Sequence, residues 1–191
     1  MKCDLIFAGV GGQGVLSVSA AIGTGALNEG LHLKQSEVHG MSQRGGAVTA
    51  SLRISDSVIH SPLISNGSAE LLLSMEPLEA LRYLPSLSKN AVVISAMNPV
   101  RNIANYPDLE EIYQQIRALP KAVLMDTEQL AREAGSLRCS NIVLVGAASS
   151  FLPIKTQSLE NAIRELFLRK GDKIVEMNLK AFQLGRTAAK L

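Results

Sequence analysis

Two short stretches concentrate the residues whose types and spacing can do chemistry. The first is Gly9-Val10-Gly11-Gly12-Gln13-Gly14, which has the spacing G-x-G-x-x-G between an apolar run and a helical pattern. That spacing suits a phosphate cradle. Gly9 permits a sharp turn off a strand, Gly11 lets an anion reach the main chain with no Cβ in the way, and Gly14 brings the helix close to the strand. The N–H groups of the first helical turn then point at the anion. Gln13 adds an amide for a phosphate or a partner. The second stretch runs from Glu37 to Gly46, Glu-Val-His-Gly-Met-Ser-Gln-Arg-Gly-Gly. It combines an acid, an imidazole, a guanidinium and polar Ser42 and Gln43, too polar for a core. Arg44 can grip a carboxylate or phosphate through two bonds. Gly45 and Gly46 leave the backbone open to a close neighbour. The bland alternatives are a tight turn without a ligand and a solvated loop in which Glu37 pairs with Arg44.

Other chemistries find less support. A nicotinamide site of the usual kind places an acid about twenty residues after the glycine motif. Lys34 and Gln35 stand there, with Glu37 slightly late. A standard NAD site is therefore disfavoured, and NADP stays open through Lys34. His32, His39, His60, Glu37 and Asp56 show no metal-ligand spacing. Ser42 has no nucleophile-elbow context for a triad with His39. Cys3 and Cys139 are the two cysteines, so one copy holds no four-thiolate iron–sulfur cluster or zinc site. Cys139, before a helix, can gain some thiolate character.

The elements that must position these stretches follow from composition and pattern. The chain has 191 residues, 47% hydrophobic and 19% charged, with a net charge of +2. That is one domain with a core of its own and no nucleic-acid footprint. Residues 5–28 carry no charge, but Asp4 and Gly11–Gly14 argue against a spanning helix or signal peptide. The expectation is a soluble cytoplasmic protein whose low charge reflects a surface buried against another subunit. Strands are expected at Cys3–Ala8, Leu31–Val38, Ala47–Ile54, Glu70–Met75, Ala91–Ala96 and Ala122–Asp126. Asp56-Ser57 reads as a turn into a partner strand at Val58–His60. Helices are expected at Val15–Glu29, Pro77–Leu84, Asp108–Leu119, Glu128–Ala134, from an Asn141 cap to Phe151, at Leu159–Arg169 and at Asp172–Lys190. Glu76 and Glu79 favour the start of their helix. Alternating strands and helices predict an α/β fold: a Rossmann-like open, largely parallel twisted sheet flanked by helices, with an added antiparallel hairpin around Asp56.

The order GVGGQG (Gly9–Gly14), EVHGMSQRGG (Glu37–Gly46), Ser61-Pro62-Leu63-Ile64 and EPLEAL (Glu76–Leu81) resembles the gamma subunit or gamma domain of 2-oxoacid:ferredoxin oxidoreductases. Val38-His39-Gly40-Met41-Ser42-Gln43 follows the indolepyruvate variant, whose small subunit is termed beta. The resemblance spans roughly residues 1–190 and implies a single gamma-type domain over 1–191. It implies an anaerobic enzyme that converts a 2-oxo acid and coenzyme A to acyl-CoA and carbon dioxide, with electrons passing to ferredoxin. Thiamine diphosphate, magnesium and iron–sulfur clusters are expected in a large alpha subunit, and this chain is expected to be inactive alone. Gly9, Gly11, Gly12, Gln13 and Gly14 match the family's glycine turn. Ser42, Gln43, Arg44, Gly45 and Gly46 match its arginine–glycine segment. Coenzyme A contact through these residues, with Glu37 beside them, is the expected role. A nicotinamide-dependent oxidoreductase and a non-catalytic nucleotide-binding module are the alternatives, and a homo-oligomer is compatible with the isolated chain.

Overall fold

The computed structural model describes residues 1–40 and 45–189, the side chain of His39 excepted. Met41, Ser42, Gln43 and Arg44 lie outside the described residues. Among the described residues six strands form one sheet: β1 (Lys2–Val10), β2 (His32–His39), β3 (Ala47–Ser55), β4 (Ala69–Ser74), β5 (Leu87–Ala96) and β6 (Ala122–Met125). Their spatial order is β2-β3-β1-β4-β5-β6. β1, β4, β5 and β6 pair in parallel, and β3 runs against both β1 and β2. β1 is buried from Cys3 to Val10, as a strand covered on both faces must be.

Helices α1 (Val15–Leu27), α4 (Thr127–Ala134), α5 (Ser140–Ala148), α6 (Thr156–Phe167) and α7 (Asp172–Ala188) share one apolar layer with Leu5, Phe7, Leu52, Ile54, Leu71 and Leu73. Helices α2 (Pro77–Arg82) and α3 (Leu109–Arg117) cover the opposite face over Ile6, Ala8, Leu72 and Val93. α5 is buried from Ile142 to Ala148, which suits its apolar, small-residue sequence. The amphipathic face of α6 is Leu159, Ala162 and Ile163, whereas Leu166 is 37% exposed.

The antiparallel hairpin is made by β2 and β3, in register from His32 opposite Ser55 to His39 opposite Val48. Val58–His60 is not a strand. Alternation on β3 explains why. Ala50, Leu52 and Ile54 face the core, so Ser51 and Arg53 face the other side. There Arg53 Nη1 donates to the carbonyls of Ser61 and Leu63, each at 3.0 Å. The segment after Asp56 therefore lies across the sheet as a strap, with its backbone bonded to an arginine instead of a strand.

Candidate functional site

The carboxyl ends of β1, β4, β5 and β6 open on one cleft of about 400 Å³. Gly12, Gln13 and Gly14 enter it from the turn after β1, Met75 from β4, and Asn98 and Val100 from β5. Thr127 and Glu128 enter from the start of α4, and Arg138, Asn141 and Leu144 from the entry and first turns of α5. This is where open α/β sheets bind ligands. The N-terminal ends of α1 and α5 both reach it.

The glycine turn is held by its own side chain. Gln13 Oε1 accepts from the Val10 N–H at 2.7 Å, and its Nε2 donates to the Met75 carbonyl at 2.8 Å. The Gln13 amide is thus bonded within the fold on both sides. Gly9 lies beneath it, where an added Cβ would meet Gln13 Oε1 and Val15 Cγ2, both at 3.0 Å. The Gly11 N–H donates to the Gly46 carbonyl at 2.8 Å, which joins the two sequence motifs directly. Gly14 is the residue before α1 and has φ +83°. A Cβ there would also lie 2.7 Å from Asn141 Nδ2. No side chain caps α1, so its first N–H groups are left for solvent or a ligand.

The far wall is stapled in the same way. Asn98 Nδ2 donates to Asp126 Oδ1 at 3.0 Å, and Asn98 Oδ1 accepts from the Thr127 hydroxyl at 2.9 Å. Bonds from the Gln129 N–H and the Asn98 amide hold the Asp126 carboxyl below its usual range. Glu128 pairs with Arg132 at 3.1 Å. Arg138 lines the cleft and makes no ion pair among the described residues. Among the described residues Asn141 Oδ1 is buried without a hydrogen-bond partner. Neither Asn141 nor Arg138 stands out as a ligand-binding residue in the sequence. Asn141 reads there as a helix cap, but Cys139 holds that position and Asn141 falls inside the helix with its amide turned to Gly14.

Glu37 is exposed on β2 opposite Ala50, accepts from Gln35 Nε2 at 2.5 Å, and is not part of the cleft lining. Gly45 and Gly46 sit at the start of β3 beside the glycine turn, and Ser42, Gln43 and Arg44 lie outside the described residues. Both cysteines are buried. Burial, with Glu70 and Asp4 adding to it, pushes the Cys3 thiol up to about 12, and burial raises Cys139 as well. The thiolate character expected at Cys139 is thereby corrected, since desolvation outweighs the helix start. Among the described residues no group of three or more His, Cys, Asp or Glu is placed to hold a metal ion.

The pyruvate ferredoxin/flavodoxin oxidoreductase family model matches residues 4–188. The chain belongs to this family. Its similarity to indolepyruvate oxidoreductase subunit IorB of Archaeoglobus fulgidus is 37% identity, over 99% of this chain and 96% of that one. The crystal structure of the gamma subunit of a keto/oxoacid ferredoxin oxidoreductase from Geobacter sulfurreducens shares the fold. Its TM-score is 0.74 at 22% identity, over 99% of this chain and 97% of that one. The 2-oxoglutarate:ferredoxin oxidoreductase of Magnetococcus marinus, solved with 2-oxoglutarate, coenzyme A and succinyl-CoA bound, has a TM-score of 0.77 at 20% identity. This chain is matched over 98% of its length there but spans only 31% of that larger chain. Pyruvate ferredoxin/flavodoxin oxidoreductase family enzymes oxidise 2-oxo acids with ferredoxin, and relatives of this chain are subunits of multi-subunit oxidoreductases. Among the described residues no helix is long and apolar enough to cross a membrane.

Proposed function

We propose that this chain is the small subunit of a cytoplasmic, indolepyruvate-type 2-oxoacid:ferredoxin oxidoreductase, and that its cleft holds the phosphate-bearing part of coenzyme A. The observation that carries the reading is the cleft itself. A glycine turn without a capping side chain, a cationic Arg138 that makes no ion pair among the described residues and the buried, unpartnered Asn141 Oδ1 converge on it. A buried polar atom without a partner is rare in a finished fold and suits a ligand site. The Asn141 amide can present either its oxygen or its nitrogen once turned. The 37% identity to IorB over nearly the full length of both chains supports the indolepyruvate assignment. Coenzyme A bound in the Magnetococcus marinus enzyme supports the ligand.

In this reading the 2-oxo acid and coenzyme A give acyl-CoA, carbon dioxide, one proton and two electrons, the electrons leaving singly to ferredoxin. A large partner subunit holds thiamine diphosphate, magnesium and the iron–sulfur clusters, which supply the decarboxylation and electron-transfer chemistry. The two thiols here are buried on separate elements and do not suit a cluster. This chain's residues anchor coenzyme A and exclude water from the shared site. Arg138 and the α1 N–H groups bind phosphate, and Arg44, which precedes Gly45 in sequence, is a second anion contact.

Arg138→Ala in the co-purified complex tests the anchor. Losing a charge-assisted bond of about 1.5–3 kcal/mol raises the KM for coenzyme A about 10- to 150-fold. The kcat at saturating coenzyme A stays within about twofold, because the contact is the same in ground and transition states. An unchanged KM would count against the assignment.

A further inference from the structure

We infer that Glu76 and Tyr106 are positioning residues that set the glycine turn in place before a ligand arrives. The inference deepens the coenzyme A reading and rests on it for its functional consequence. Glu76 is the N-cap residue just before α2 and is 1% exposed. One carboxylate oxygen caps the helix by accepting from the Glu79 N–H at 2.9 Å. A shorter, cheaper cap would serve that purpose alone. The second oxygen accepts from the Val100 N–H at 3.3 Å and from the Tyr106 hydroxyl, both on the segment after β5. Among the described residues Glu76 makes no ion pair, so hydrogen bonds alone offset the cost of burying its carboxylate.

Between Val100 and Tyr106 lies Asn102, whose Nδ2 donates to the Gly45 carbonyl at 2.7 Å. Its neighbour Gly46 accepts from the Gly11 N–H at 2.8 Å. On the other side Gln13 Nε2 donates to the Met75 carbonyl, and Met75 is bonded covalently to Glu76. The bonds therefore close a ring: Glu76, the segment 100–106, Gly45–Gly46, the glycine turn, Met75 and back to Glu76. A closed and satisfied ring has fewer ways to loosen than β1 alone would allow. The turn is ordered in advance, and a ligand need not supply that ordering.

Tyr106→Phe keeps the ring that packs in the second apolar layer and removes only the hydroxyl. Asn102→Ala cuts the circuit at an exposed position. In the isolated chain, Tyr106→Phe is expected to speed hydrogen exchange at the Gly11 amide, measured residue by residue by NMR. Unchanged exchange at Gly11 overturns the ring. In the co-purified complex each variant is expected to raise the KM for coenzyme A about three- to tenfold, with kcat within about twofold. The double variant is expected to be no worse than the worse single one, since both cut one circuit. Multiplying effects, or a fall in kcat matching the rise in KM, overturns the positioning role. Faster Gly11 exchange with the KM for coenzyme A unmoved by these variants and by Arg138→Ala leaves the ring standing and removes the coenzyme A reading.

Discussion

Gly185→Ala is expected to lower the stability of the chain by about 3 kcal/mol, the upper end of what overpacking costs. Helices α5 and α7 touch backbone to backbone. A Cβ at Gly185 would lie 1.9 Å from the Val143 carbonyl oxygen, and one at Gly146 would lie 1.9 Å from that of Phe182. No rotamer change relieves either clash, because the obstacle is main chain on both sides. The helices must separate, and α5 is trapped between α7 and the sheet with every side chain from Ile142 to Ala148 buried. Separation also moves the cleft wall, since Asn141 and Leu144 stand on α5. Urea unfolding measures the effect as a lower midpoint at unchanged slope. A shift worth less than about 0.5 kcal/mol, the range of an ordinary surface substitution, would show that the helices do not meet this closely.

Arg53→Met carries the second large effect, again about 3 kcal/mol, from a different cause. Asp4 is on β1 with its side chain 1% exposed. Arg53 reaches it through Nε at 2.9 Å and Nη2 at 3.3 Å, while the same guanidinium holds the strap at Ser61 and Leu63. Methionine keeps the stem and removes all four bonds. Lys2 remains on Asp4 at 2.7 Å but is 54% exposed, so it only partly compensates. Removing one partner of a buried pair leaves a charge out of water, which typically costs 3–5 kcal/mol. The lower end applies here because Lys2 stays. Limited proteolysis adds a local signature: cleavage first within residues 56–68, before global unfolding. Cleavage spread evenly along the chain would contradict the strap.

Local patterns carried much of this fold in advance. The alternation of Val48, Ala50, Leu52 and Ile54 identifies the core face of β3, and the small residues at Gly146–Ser150 announce a close helix crossing. The glycine turn between a strand and a helix is equally readable, because its meaning is set by its immediate neighbours. Val58–His60 misleads because its backbone is claimed by Arg53, a residue on another element. Long-range relations hide the site residues too. Arg138 and Asn141 meet Gly12–Gly14 only because the strand order brings the start of α5 over the end of β1. Glu76 reads correctly as a helix-start acid, but its second oxygen reaches Tyr106 thirty residues on, which no spacing rule anticipates.

Hydrogen exchange of the co-purified complex, with and without saturating coenzyme A, decides whether the cleft at the carboxyl edge of the sheet receives coenzyme A. Exchange is expected to slow at Gly12–Leu16, at Asn98 and Val100 and at Arg138–Asn141, with no change in the separate pocket at Val58–Ser61. Protection elsewhere on the chain, or none on it while the complex binds coenzyme A, would contradict binding in the cleft.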